Sequence, residues 1–311
     1  MKKLLVIGPL PDQLTNMLKP DYELENLWEA SDPDAFLQHN AGRHDAAVTM
    51  AKYPLPAGLY PCIQGKALIS YAVGTENLRA VEAAAHGVQV SNTPDTATTG
   101  VGEMAIGLML AVSRRIAESD RYVRAGKWEQ SPFGVSSQIT GKRLGIVGLG
   151  RIGRTIARFA TGFDMDVAYT GRRPHDDVSY RYLPDAVALA QWCDYLVLSC
   201  PGGPQTHHLV SDEVLAALGP KGYLINVARG SVVDEPALIK ALQNGTIAGA
   251  GIDVCETEPA VPPAMRELDR LVITPHIAAV TSEGRQAMCD LVIRNLDSYF
   301  TTGKVATPVT S

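Results

Sequence analysis

A strand, a glycine loop and a helix follow one another without a break in "RLGIVGLGRIGRTIA", residues 143–157. No other stretch restricts the fold as much. The spacing Gly148-x-Gly150-x-x-Gly153 is by itself a common kind of turn. Set between an apolar strand and a helical pattern, it matches the first turn of a dinucleotide-binding βαβ unit. In such a unit Gly148 permits the tight turn, Gly150 lets the backbone approach a pyrophosphate, and Gly153 lets helix and strand pack closely. The helix that follows would aim free N–H groups and the positive end of its dipole at the phosphates.

The remainder of the chain extends this pattern in both directions. Upstream lie the strand candidates "KLLVIG", "AAVTM", "ALISYAV" and "VQVSN". From Lys142 onward come "RLGIVGLG", "MDVAYTG", "YLVLSC", "YLINVAR", "IAGAGIDV" and "RLVITPH", with helical stretches between them. Alternation of this kind predicts an α/β chain with parallel sheets. At roughly 150 residues per domain, 311 residues imply two domains, and 46% hydrophobic content is ample for two cores. The two series are joined by a segment whose long helical pattern, "GVGEMAIGLMLAVSRRIAESDRYVRAGKW", is apolar in its first half.

Charge and cysteine usage exclude several classes. A net charge of −5 argues against a nucleic-acid or membrane-surface protein, which would carry a basic face. Five cysteines without a C-x-x-C spacing point to reduced thiols rather than a disulfide framework or structural zinc. The opening "MKKLLVIGPLPDQ" breaks at Gly8-Pro9 with no small-residue cleavage site, so it reads as a first strand and not a signal peptide. No apolar run approaches the ~18 residues of a membrane span. A soluble, cytoplasmic protein is expected.

The second strand of the glycine-loop unit ends in "YTGRRPH". About 20 residues beyond the loop, an Asp or Glu usually grips the adenosine ribose. Here the position falls to Gly171, followed by Arg172 and Arg173. No carboxylate stands there to repel a ribose 2′-phosphate, and an arginine fork can donate two bonds to phosphate oxygens. NADP(H) is the expected cofactor, with NAD(H) as the alternative. The competing reading is a solvated loop in which Asp176 and Asp177 neutralise the arginines.

Three further segments fall at or just after strand ends, where open α/β sheets place ligands: "INVARGSVVDEPAL", "GIDVCETEP" and "VITPHIA". With the glycine loop, in this order, they resemble the D-isomer-specific 2-hydroxyacid dehydrogenase family, and within it the glyoxylate/hydroxypyruvate reductase branch. The resemblance covers nearly the whole chain. It implies a Rossmann nucleotide-binding domain, residues 96–281, inserted in a flavodoxin-like substrate-binding domain, residues 1–95 completed by 282–311, with the active site in the cleft. It further implies that Arg229 binds the substrate's carboxylate or carbonyl oxygen, that His276 is the general acid, and that Glu258 orients His276 and raises its pKa. The chemistry agrees, because hydride addition to a ketone builds negative charge on oxygen and calls for a cation and a proton donor there.

The resemblance carries other residues with it. Val73 and Gly74, in "SYAVGTENL", would offer backbone N–H groups to the substrate carboxylate. Ala72 and the residues after Gly74 depart from the family's commoner pattern. Arg151 and Ile152 would lie in the phosphate loop, Cys200, Pro201 and Thr206 along the adenosine and nicotinamide side, and Val227, Ala228 and Ala278 beside the nicotinamide. Asp253 matches the family's acidic residue near that ring, or else caps local backbone. Gly202-Gly203 replaces a bulkier family segment and is expected to loosen the packing. His207 and His208 are adjacent, so they cannot share a helix face. With no ligand partner evident, no metal site is expected. A homodimer is expected on the long helix, whose apolar half looks too large to be buried alone, with Trp128 or Phe133 reaching the partner's active site. Two rival functions remain: reduction of a bulkier arylpyruvate, and a corepressor-like scaffold of the same fold that senses the cofactor.

Overall fold

The first sheet holds β1 (Lys2–Val6), β2 (Tyr22–Asn26), β3 (Ala46–Thr49), β4 (Ala67–Ser70) and β5 (Gln89–Ser91), all parallel, in the order 2-1-3-4-5. That is the flavodoxin-like order. The computed structural model describes residues 1–50 and 52–309. They divide into two units, Met1–Ala97 with Thr281–Ser311, and Thr98–Val280.

In the first unit both faces of the sheet are covered. Leu4, Val48 and Ile69 point to one side, where Cys289, Val292 and Leu296 of the helix Ser282–Thr302 pack on them. Leu5, Ala47 and Leu68 point to the other, against Tyr60 and Ile63. Burial on both faces is why the central strands read as unbroken apolar runs. Strand β2 escaped sequence reading for the converse reason. It is an edge strand, and of "YELEN" only Tyr22 is buried.

The second unit holds β6 (Arg143–Val147), β7 (Asp166–Thr170), β8 (Arg181–Tyr182), β9 (Tyr195–Leu198), β10 (Tyr223–Asn226), β11 (Gly249–Ile252) and β12 (Leu271–Ile273). Their order is 12-11-10-9-6-7-8, again all parallel. Counted from β6 this is the Rossmann order 3-2-1-4-5-6 with a seventh strand added. The reversal falls between β6 and β9, which is where the glycine loop leaves the sheet.

The long helical pattern is two helices, Thr98–Ser113 and Ile116–Arg124, broken where Arg115 turns left-handed at φ 54°. Contrary to expectation, its apolar half is covered without a partner surface. Val101, Ala105, Leu108, Met109 and Val112 are buried within their own unit. The glycines of β11 make room for them: a Cβ at Gly249 would lie 2.7 Å from Val112, and one at Gly251 2.9 Å from Leu108. The apolar side chains left exposed lie further on, at Ile116, Val123, Trp128 and Val135. Among the described residues no helix is long and apolar enough to cross a membrane.

Candidate active site

The glycine loop is built by crowding at two of its glycines and by openness at the third. Gly148 has φ 93°, and a Cβ there would lie 2.8 Å from the backbone of Cys200. A Cβ at Gly153 would lie 2.2 Å from the carbonyl oxygen of Gly148. Those two are glycine for the turn and for the helix–strand approach. Gly150 is different: its φ is −77°, and an added Cβ would meet no atom within 4 Å. Neither conformation nor internal packing requires glycine there, which leaves room for a bound group to approach the backbone. The helix Arg151–Ala160 starts at Gly150 with no side-chain cap, so its first amides remain directed outward.

Arg172 and Arg173 are exposed at the end of β7. The solvated-loop reading gave them Asp176 and Asp177 as counter-ions, but Asp177 instead accepts two bonds from Arg154 of the glycine-loop helix, at 2.9 and 3.0 Å. That guanidinium holds the Asp177 carboxyl below the usual carboxylate range. The loop is pinned again where the His175 amide donates to the Tyr169 hydroxyl (2.7 Å) and the Tyr182 hydroxyl to the Gly171 carbonyl (3.2 Å). Among the described residues, no carboxylate pairs with Arg172 or Arg173.

At the ends of β10, β11 and β12 the structure brings together Arg229, Asp253, Glu258 and His276. Arg229 follows a bend fixed by buried Asn226, whose side chain accepts from the Ala228 amide and donates to the Arg229 carbonyl. Val227 and Ala228, just before it, are buried. Gly230 then passes so close to the next loop that a Cβ would lie 2.0 Å from the carbonyl carbon of Cys255. On its other side the arginine stem lies against Gly202, where a Cβ would sit 2.8 Å from Arg229 Cγ. The glycine expected to loosen this segment instead gives the arginine a close seat. Cys200 is buried and Pro201 exposed, and the Thr206 hydroxyl closes their loop by donating to the Pro201 carbonyl at 2.8 Å.

The carboxylate of Glu258 accepts from the Cys255 amide at 2.9 Å through one oxygen and meets His276 Nδ1 at 2.6 Å through the other. Burial alone would push the Glu258 carboxyl up, but the bonds from His276 and Cys255 hold it below its usual value. The same bond raises the His276 imidazole above its ordinary value, against burial and the positive charge of Arg229. His276 sits in the left-handed region at φ 54°, a conformation that persists only when the surroundings impose it. Asp253, 1% exposed, imposes it. Its carboxylate accepts from the Thr274 hydroxyl and from the Ile277 and Ala278 amides, and its backbone carbonyl accepts from the His276 amide. Of the two readings of Asp253, backbone capping is what these contacts describe.

Two further acids were not legible in the sequence. Buried Glu235 accepts from the Glu256 amide at 2.6 Å and so anchors the turn that carries Glu258. Glu256 itself reaches His208 (3.1 Å) and His207 (3.6 Å), supplying the partner those histidines lacked on paper. In the other unit, Val73 and Gly74 follow β4, and the Val73 carbonyl accepts from Asn92 Nδ2 at 2.7 Å. Among the described residues neither of their amides meets an acceptor.

A Rossmann strand order with a glycine loop at its reversal point defines the dinucleotide-binding class of α/β proteins. Residues 106–278 match the family model "D-isomer specific 2-hydroxyacid dehydrogenase, NAD binding domain", and the chain belongs to that family. It is 40% identical over 306 residues to glyoxylate/hydroxypyruvate reductase A of Arabidopsis thaliana, covering 98% of each chain. It is equally similar, 40% over 306 residues with the same coverage, to hydroxyphenylpyruvate reductase of Plectranthus scutellarioides. Among solved structures it resembles the NADPH-dependent glyoxylate/hydroxypyruvate reductase of Sinorhizobium meliloti, in complex with NADP and malonate. That likeness has a TM-score of 0.89 at 36% identity and covers 99% of this chain and 97% of the other.

Proposed function

We propose that this chain reduces a short 2-keto acid of the glyoxylate and hydroxypyruvate class to the D-2-hydroxy acid, using NADPH. The observation that carries the reading is the 2.6 Å His276–Glu258 pair under the field of Arg229, on the same sheet as the open-faced Gly150. Gly148, Gly150, Arg151, Ile152 and Gly153 would hold the pyrophosphate, and Arg172 and Arg173 the 2′-phosphate. Cys200, Pro201, Thr206, Val227, Ala228 and Ala278 would line the rest of the dinucleotide. When bound, the cofactor supplies a hydride.

The chain's own residues do the remainder. Arg229 holds the keto acid and draws electron density toward its carbonyl oxygen. With Nδ1 bonded to Glu258, the charged imidazole of His276 has its Nε2 proton to give to that oxygen as it becomes an alkoxide. Glu258 keeps the ring oriented and favours its charged form. The Val73 and Gly74 amides would take the substrate carboxylate. Asp253 acts one step back, by fixing the backbone that presents His276.

The equal likeness to hydroxyphenylpyruvate reductase favours a second reading, an arylpyruvate substrate. Steady-state rates with glyoxylate, hydroxypyruvate and hydroxyphenylpyruvate, each with NADPH and NADH, separate the two. Highest kcat/KM for the short acids with NADPH supports the first reading, whereas a preference for the aromatic acid replaces it.

We also propose a homodimer built on the exposed apolar residues Ile116, Val123, Trp128 and Val135. A group of this kind marks an interaction surface when it is contiguous. Phe133 is engaged within its own chain, edge-on to Tyr122 and beneath Arg115, while Trp128 is 66% exposed. Trp128 is therefore the residue free to reach a partner's active site. A single monomeric species in analytical ultracentrifugation at micromolar concentration would refute the dimer.

A further inference from the structure

We propose that His207, His208 and Glu256 form a binding site for a divalent transition-metal cation of the zinc type, beside the Arg229–Glu258–His276 set. One ligand atom from each lies within 4.8 Å of the others. His208 Nε2 is 3.1 Å and His207 Nε2 3.6 Å from the same oxygen, Glu256 Oε1. Metal–ligand bonds of about 2.0–2.2 Å in a tetrahedron imply ligand atoms roughly 3.3–3.6 Å apart, so these separations suit a shared cation. Two imidazoles and a carboxylate suit zinc, nickel or copper(II), whereas magnesium and calcium prefer all-oxygen sets.

Two of the three ligands are anchored from outside the site. The Glu256 amide is held by buried Glu235. The His208 amide donates to the Ser231 carbonyl at 2.8 Å, and φ at His208 is 50°, in the left-handed region where histidine is enriched. On its far side, His208 Nδ1 faces the Asp234 carboxylate at 4.0 Å. A carboxylate behind a histidine is the usual outer partner of a metal-bound imidazole, fixing its tautomer and raising its basicity. His207 is the exposed ligand. The two rings stack at 3.9 Å, inclined by 26°, so sharing a cation requires His207 to rotate, which its exposure permits. A bound cation would tie the loop carrying Gly202, the seat of Arg229, to the turn carrying Glu258.

The test is titration of the chelator-treated full chain with zinc chloride by calorimetry, and with cobalt(II) by visible absorption, alongside thermal melts. The expected result is a single micromolar equivalent, with tetrahedral cobalt bands and a raised Tm. His207→Ala and Glu256→Gln should each weaken binding roughly 10- to 100-fold, a loss that even outer partners of a metal site can cause. They should also abolish the Tm rise. His276→Ala must retain the binding, because the His276–Glu258 pair could itself chelate, and Cys255→Ser must retain it for the same reason. Exposed His207 tolerates truncation, so the result stands on that variant if Glu256→Gln fails to fold. Binding insensitive to His207→Ala, binding lost with His276→Ala or Cys255→Ser, or no saturable binding at all would each overturn the proposal.

Discussion

Around His276 the atoms that hold the ring in place are spoken for: Nδ1 by Glu258, the amide by Asp253 and Thr274, and the next two amides by the Asp253 carboxylate. At the end of β7, Arg172 and Arg173 stand exposed on a loop pinned through Arg154, Tyr169 and Tyr182. Both regions cap strands of one sheet, yet one is preorganised and the other waits for its partner. The difference follows from their proposed tasks. A proton donor must be aimed before charge develops, because aiming it during the reaction would add to the barrier. A clasp for a phosphate can close on binding, since its function is affinity.

The contrast predicts effects of different kind and size. The largest belongs to His276→Ala, which should lower kcat by about 10²–10⁴-fold, the usual worth of a positioned general acid, while NADPH affinity stays nearly constant. Single-turnover rates and cofactor fluorescence titration read the two quantities separately. A variant that keeps most of its turnover would remove the residue from the mechanism and dissolve the contrast.

The arginine loop should show a graded effect confined to the cofactor. Each charge-assisted bond contributes about 1.5–3 kcal/mol, and ~1.4 kcal/mol is tenfold. Exposure holds the pair below the sum of its bonds, so NADPH should be favoured over NADH by roughly 10- to 1000-fold in kcat/KM. Replacing both arginines by alanine should erase most of this by weakening NADPH alone, and raised salt should erode it in the unmodified chain. Adding Gly171→Asp should then turn the preference to NADH. The site accepts the change, because a Cβ at Gly171 meets no atom within 4 Å. Equal efficiency with both cofactors before any substitution would leave the arginines as a solvated loop.

The same contrast separates what could be read from the sequence and what could not. Buried parallel strands announce themselves as apolar runs, so the central strands of both sheets were legible, whereas polar β2 and two-residue β8 sit at edges and carry no such pattern. Glu258 and His276 stand out because each follows a strand in a recognisable motif. Their supports do not. Glu235 and Glu256 meet across 21 residues, and His208 and Glu256 across 48, through a loop geometry that no local spacing encodes. Gly202 was expected only to loosen its segment, and nothing local in the sequence marks Gly230. Only the close passage of the Arg229 stem and of the Cys255 backbone explains them. The break at Arg115 was hidden as well, since no proline or glycine marks it.

Glu258→Gln gives the smallest expected loss and the sharpest test of the pairing. In the unmodified chain the Glu258 carboxylate raises the His276 pKa, so the acid form persists to higher pH than an ordinary imidazole allows. Reduction needs that acid form, and kcat/KM should therefore fall as pH rises through the raised value. The sign for stability is the same. A histidine whose folded pKa is raised contributes fully below its unfolded pKa, and loses that contribution as pH rises through the folded one. Glutamine keeps the size and one acceptor but removes the charge, so the alkaline limb should move to lower pH. The maximal rate at acid pH should suffer less than in His276→Ala, since the proton donor is still present. An NMR titration of the His276 ring in both forms measures the shift directly. A limb and a ring titration that both stay in place would mean that Glu258 orients the imidazole without tuning it, and the preorganised region would then owe its chemistry to geometry alone.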